Sequence, residues 1–161
     1  MRNLKLEIPT GTGLALNLPR LMGRLLAVDF GMKRTGLAVT DELRLIAEPL
    51  DTVETYYVMD YLKKYVDREL VDTIIVGLPK QMNGADSEIG GNATAFAKAL
   101  SQEFPSISIE RQDERFTSML AERSILQGGA SKKKRQDKAL VDRTSAAIIL
   151  QGYMDRINRQ L

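Results

Sequence analysis

One stretch constrains this chain more than any other: Leu25-Leu26-Ala27-Val28-Asp29-Phe30-Gly31-Met32-Lys33-Arg34-Thr35-Gly36-Leu37-Ala38-Val39. It reads as strand, glycine-bounded turn, strand. Leu25 to Phe30 is apolar on both alternating faces except for one carboxylate, the pattern of a central strand covered on both sides. A lone buried carboxylate costs several kcal/mol unless a metal ion, a cation or a proton compensates it. Asp29 is therefore the first residue that needs a reason. Gly31, two positions on, places it close to the strand's exit.

What chemistry is available follows from two absences. The 161 residues contain no cysteine and no histidine. Disulfides, thiol chemistry, zinc fingers, Ser-His-Asp and Cys-His catalysis are excluded, as is the usual neutral-pH base. The missing cysteines make a reducing cytoplasm the expected compartment. Carboxylates working with a hard cation, Mg²⁺ or Mn²⁺, are the main toolkit left. The length suits one domain with a sizeable core. No apolar run approaches the roughly 20 residues that cross a membrane, so no membrane partner is expected. The net charge of +2 does not by itself announce nucleic acid, so local clustering has to carry that reading.

Residues 1–23 hold Pro9, Gly11, Gly13 and Pro19 and are expected to be a poorly ordered amino-terminal extension; residues 24–161 form the domain. Strands are expected at 25–30 and 36–41, with a short third strand within 43–53 that Pro49 confines to an edge or a strand end. Lys33 and Arg34 in the first turn are either a solvated tip or a phosphate contact. Residues 55–70 read as a helix with Val58, Tyr61, Leu62 and Tyr65 on one face. Its tyrosines are read as packing residues rather than base-stacking platforms. A buried strand follows at 71–76, then a loop from Lys80 to Gly91 after Gly77-Leu78-Pro79. A helix over 92–104 buries Ala93, Phe96, Ala97, Leu100 and Phe104. A strand beginning at Ile107 ends in Gln112-Asp113-Glu114-Arg115-Phe116-Thr117. Thr117 is expected to cap a helix that Gly128-Gly129 stops. The last helix, 139–157, carries Asp142, Ser145, Ala146, Ile149 and Tyr153 on one stripe, so a carboxylate heads a small and apolar face. A hairpin followed by strands separated by helices predicts an α/β domain: a mixed five-stranded sheet with helices on both faces, its site near the carboxyl ends of the parallel strands.

Three carboxylates stand out by context: Asp29 in an apolar strand, Glu114 at the end of a late strand, and Asp142 on the inward stripe of the last helix. Brought together, they would repel one another unless a divalent cation neutralised them. Such a cation can activate water and stabilise the leaving oxygen of a phosphodiester. Ion pairs, with Arg115 or Arg143 as partners, are the structural alternative. Lys132, Lys133, Lys134 and Arg135 make a dense cationic run just before Asp142. Counterion release suits such a run to nucleic acid; a solubilising loop is the other reading.

Asp29-Phe30-Gly31 with Lys33-Arg34-x-Gly36, then Gly77-Leu78-Pro79, Asp113-Glu114-Arg115-Phe116-Thr117, and Asp142 with Ala146-Ala147, in that order, resemble the YqgF (RuvX-like) family of the RNase H-like superfamily. The resemblance covers about residues 24–157 and shows no departure at the three acidic positions. It implies a sheet of order 3-2-1-4-5 and a metal-dependent nuclease, a hydrolase acting on ester bonds. Asp29, Glu114 and Asp142 would be both the catalytic and the metal-holding triad, with Mg²⁺ or Mn²⁺ as cofactor. The family is associated with 5′-end maturation of pre-16S ribosomal RNA and has also carried the label of a Holliday junction resolvase. Precursor ribosomal RNA is the preferred partner and branched DNA the second. Lys33, Arg34, Arg115, Lys132, Lys133, Lys134 and Arg135 are the candidate nucleic-acid contacts. Monomer and homodimer are both compatible with the sequence. Two further readings stay open. One is a phosphate loop like that of actin-like ATPases, which normally needs two such domains. The other is a non-catalytic nucleic-acid-binding module.

Overall fold

Strand β1 (Arg24–Asp29) lies in the middle of a five-stranded sheet. The computed structural model describes residues 22–78, 88–113, 117–129 and 131–159. In chain order the other elements are β2 (Arg34–Thr40), β3 (Ala47–Glu54), a single 3₁₀ turn (Thr55–Tyr57), α1 (Val58–Val66), β4 (Val71–Leu78), α2 (Glu88–Glu103), β5 (Ser108–Asp113), α3 (Thr117–Gln127), α4 (Lys132–Arg135) and α5 (Lys138–Asn158). The sheet order is β3-β2-β1-β4-β5, as expected. The β1–β2 and β2–β3 pairs are antiparallel, whereas β1–β4 and β4–β5 are parallel. The carboxyl ends of β1, β4 and β5 thus share one end of the sheet.

The alternation in β1 sorts its side chains between two cores. Leu26 and Val28 pack with Val58 and Leu62 of α1 and with Ala93, Ala97 and Leu100 of α2. Leu25 and Ala27 pack on the other face with Ala38 and with Ala146, Ile149 and Leu150 of α5. All four β1 residues are essentially inaccessible. At about 1.5–3 kcal/mol for each fully buried large aliphatic side chain, this strand is a main anchor of the fold. The tyrosines of α1 behave as read: Tyr65 is buried and Tyr61 packs against the first core.

Three boundaries differ from expectation. The 55–70 helix resolves into the 3₁₀ turn and a shorter α1, because the chain turns after Val66 with Asp67 and Glu69 amides donating to the carbonyls of Lys63 and Tyr65. Helix α2 begins at Glu88, so Gly90 and Gly91 lie in its first turn rather than in a loop. Burial of Gly90 against the domain offsets the low helix propensity of glycine there. Strand β2 starts at Arg34, which tightens the first turn. Strand β3 is an edge strand, as Pro49 led one to expect, and it continues through the proline with a register shift between Leu37 and Ala38. The expected loop 80–87, the strand end at 114–116 and most of the 1–23 extension lie outside the described residues. Gly23 is already anchored, its amide donating to Asp72 Oδ2 at 2.9 Å.

Candidate functional site

Alternation in β1 puts Asp29 on the face that carries Leu25 and Ala27, the face covered by α5. Phe30, the next residue, takes the other face and stacks on Phe96 of α2 with ring centroids 5.0 Å apart. Asp29 is half-buried and sits opposite Gly36 of β2, just as Ala27 sits opposite Ala38. On α5, Asp142 is one helical turn before Ala146. Four residues advance about 6 Å along a helix, and two residues advance about 6.6 Å along a strand. The step from Ala146 to Asp142 therefore matches the steps from Ala27 to Asp29 and from Ala38 to Gly36.

Gly36 is what makes this juxtaposition possible. A Cβ at that position would run into the carbonyl of Asp142 and come within 2.9 Å of the Arg143 amide nitrogen. The α5 backbone thus rests directly on the sheet one strand away from Asp29. A glycine inside a strand commonly marks such a close approach, so this signal was available in the sequence. Thr52 of β3 fixes the helix start by donating from Oγ1 to the Ala139 carbonyl at 2.6 Å. Asp137 caps it, accepting from the amides of Ala139 and Leu140.

The tip of the β1–β2 hairpin is braced. A side chain at Gly31 would collide with the Arg34 carbonyl, so only glycine closes this turn. Thr55 Oγ1 donates to the Gly31 carbonyl at 2.6 Å and lies 2.9 Å from Thr35 Oγ1. The Thr55 amide donates to the Lys33 carbonyl. Nothing in the sequence marked Thr55, because its partners come from a strand twenty residues away. From this braced tip Arg34 Nε donates to Asp142 Oδ2 at 2.8 Å. Both side chains are partly exposed, and such pairs contribute about 0–1 kcal/mol. A cation thus already faces Asp142.

Of the expected triad, Asp29 and Asp142 converge on one end of the sheet. Glu114 lies outside the described residues; the strand leading to it, β5, ends at Asp113, beside Leu78 at the carboxyl end of β4. Among the described residues no group of three potential ligands is close enough to hold a metal ion. Of the cations, Lys33 is exposed on the hairpin tip and Arg34 faces Asp142. Lys132–Arg135 form α4, which leads directly into α5 and so brings exposed Lys133 and Lys134 to the Asp142 end of that helix. Arg115 is outside the described residues. Two cations went unremarked in the sequence. Lys98 of α2 and Arg111 of β5 line a cleft of about 440 Å³ on the opposite face of the sheet. On the α1 face of the sheet, burial pushes the Tyr61 phenol up to about 12, helped by the Asp51 carboxylate next to it.

Residues 23–156 match the family model described as RuvX: Holliday junction resolvase. The chain is 54% identical over 138 residues to a protein of Porphyromonas gingivalis named "Putative pre-16S rRNA nuclease"; the match covers 86% of this chain and all of that protein. A protein of the same name from Phocaeicola vulgatus is 53% identical over 134 residues, covering 83% of this chain and 96% of its own length. Among solved structures, RuvC of T. thermophilus in complex with a Holliday junction substrate superposes with a TM-score of 0.53 at 16% identity, over 84% of this chain and 96% of that one. The sheet order and this superposition identify the fold as RNase H-like. Among the described residues no helix is long and apolar enough to cross a membrane.

Proposed function

This chain belongs to the RuvX Holliday junction resolvase family, and from that premise we propose that it hydrolyses phosphodiester bonds in the 5′-end processing of pre-16S ribosomal RNA. The chain is a nuclease, a hydrolase of ester bonds whose substrate is nucleic acid. The observation that carries the site assignment is the seating of Asp142 against Gly36, one strand from Asp29. The choice of RNA rests on the name carried by relatives about half identical over nearly their full length.

Asp29 and Asp142, completed by Glu114, are proposed to hold a divalent cation. The donor set fits. It consists of carboxylate oxygens without imidazole or thiolate, which suits Mg²⁺ or Mn²⁺. The Arg34 guanidinium shows that a positive group is accommodated beside Asp142. When bound, the cation supplies water activation and stabilisation of the leaving oxygen. Arg34 then has a second task. Once Asp142 is otherwise neutralised, Arg34 and the neighbouring Lys33 are placed to hold a substrate phosphate. Lys132–Arg135 extend the cationic track beside α5 and raise affinity by counterion release. The brace through Thr55 and Gly31 keeps the tip, and with it Arg34, in register with Asp29.

The test is cleavage of a labelled ribosomal RNA precursor, beside a four-way DNA junction, in Mg²⁺, Mn²⁺ or EDTA. Wild type is compared with Asp29→Asn. Metal-dependent RNA cleavage lost in the variant is the expected result. Junction cleavage alone would transfer the protein to recombination, the second reading, which the family description favours. Equal behaviour of wild type and variant would remove the carboxylate site.

A further inference from the structure

The helix that the sequence suggested over residues 55–70 begins instead as a 3₁₀ turn, and this separates two pairs of tyrosines. Tyr61 and Tyr65 pack into the core, whereas the turn Thr55–Tyr57 buries nothing. Tyr56 is 86% exposed and Tyr57 56% exposed. Their rings meet edge to face with centroids 4.9 Å apart. Such a pair leaves at least one complete ring face open. Single exposed apolar residues are ordinary. Two adjacent aromatic rings set perpendicular to each other in solvent present ring faces that the fold does not cover.

Their position supplies the ligand class. Thr55, the residue immediately before them, is bonded to both the Gly31 and Lys33 carbonyls of the hairpin tip. Consecutive Cα atoms are about 3.8 Å apart, so the aromatic pair begins one residue from the tip that carries exposed Lys33 and Met32. That tip leaves β1 two residues after Asp29. Aromatic faces beside a cationic backbone contact are the combination that binds single-stranded nucleic acid. The π-face accepts any base, while the cation takes the phosphate.

We propose that Tyr56 and Tyr57 form a stacking subsite for unpaired nucleobases of the RNA strand next to the bond that is cut, with Lys33 on its backbone. This deepens the nuclease reading and rests on it for the identity of the polymer. Bases within a duplex are stacked on their neighbours and do not offer a face. The subsite therefore selects a single-stranded segment and requires no particular base.

The experiment measures binding of a fluorescently labelled single-stranded RNA, and of an RNA duplex of the same length, in EDTA so that no cleavage occurs. Wild type is compared with Tyr56→Ala, Tyr57→Ala, the double Ala variant, the corresponding Phe variants and Lys33→Ala. Each Ala substitution is expected to weaken single-strand binding roughly 5- to 150-fold. Duplex binding, the salt slope and the unfolding temperature should not move, and the Phe variants should bind like wild type. Lys33→Ala should lower the single-strand salt slope by about 0.7. Single-strand affinity unchanged in the double Ala variant overturns the stacking subsite, as does an equal loss on the duplex. Cleavage by wild type and Asp29→Asn is assayed in parallel with the metal restored. Metal-dependent cleavage with no effect of the double Ala variant on binding sinks the subsite alone. A wild type that neither binds nor cleaves RNA sinks the nuclease reading together with it.

Discussion

The two ends of the sheet are built from the same kinds of residues and pair them differently. At the amino end of β1, carboxylates are tied to backbone and to arginines. Asp72 accepts from the Gly23 amide and from Arg44, whose Nε also donates to the Gly23 carbonyl. Arg24 bonds Glu69 at 3.0 Å and the Thr40 carbonyl at 2.8 Å. Asp41 accepts from the amides of Leu43, Leu45 and Ile46, which supports the turn in which Arg44 adopts φ 55°. At the carboxyl end, the Asp142 backbone rests on Gly36, one strand from Asp29, with a partly exposed Arg34–Asp142 contact between elements. One end places its charges where they stabilise the fold. The other seats Asp142 over the sheet one strand from Asp29, with Arg34 as its cationic neighbour.

This contrast can be broken most sharply at the carboxylates. Asp29→Asn and Asp142→Asn should each reduce RNA cleavage by more than about 100-fold, beyond the roughly 10- to 100-fold lost for groups one shell further from a metal. Urea unfolding in EDTA should show no loss of stability for Asp29→Asn. A destabilised Asp29→Asn would mean that this carboxylate serves the fold, like those at the other end. Gly36→Ala comes next. It forces α5 off the sheet and should cost about 1–3 kcal/mol in urea unfolding. Cleavage should fall beyond that, because a misplacement of about 1 Å can cost roughly 100-fold in rate. Asp72→Ala tests the opposite end. Stability should drop by about 1–3 kcal/mol as the Gly23 amide and Arg44 lose their acceptor, while cleavage per folded molecule stays unchanged.

Smaller effects follow from ionisation and from α5 itself. Tyr61 has a folded pKa raised to about 12, chiefly by burial. A raised folded value means that its contribution is complete below the unfolded value of about 10 and is lost as pH rises towards 12. Phenolate absorbance should show this late titration, and Tyr61→Phe should remove it. Asp41 behaves with the opposite sign. The Ile46 amide bond and its neighbours hold its carboxyl below the usual range, so its contribution is present above the ordinary carboxylate value and fades as pH falls. Smallest of all, Ser145→Ala should be neutral or stabilising by up to about 1 kcal/mol. The buried Ser145 hydroxyl, one turn beyond Asp142, has no hydrogen-bond partner among the described residues. A clear loss in thermal unfolding would mean that this hydroxyl has a role the static contacts do not reveal.

Much of this architecture was legible before any coordinates. Alternation in Leu25–Phe30 announced a strand covered on both faces, and the single carboxylate in it marked Asp29, which lies at the strand's end. The i, i+3, i+4 spacing of Asp142, Ser145, Ala146 and Ile149 put a carboxylate on the packed stripe of α5. What misled was local. Gly90-Gly91 reads as a loop and is helix, since burial outweighs propensity over a single turn. The 55–70 segment reads as one helix, yet it opens with a 3₁₀ turn that leaves Tyr56 and Tyr57 exposed.

The sequence by itself determined the main strands and helices, the chemistry available and the place of Asp29 at the end of β1. Those follow from periodicity and from the absence of histidine and cysteine, which are properties of neighbours along the chain. Tertiary structure alone decided that Asp142 meets the sheet at Gly36 and that Thr55 locks the hairpin tip. It also decided that a tyrosine pair stands exposed beside that tip. Each depends on contacts between residues 20 to more than 100 positions apart. Close packing selects among such contacts only after the whole core has formed.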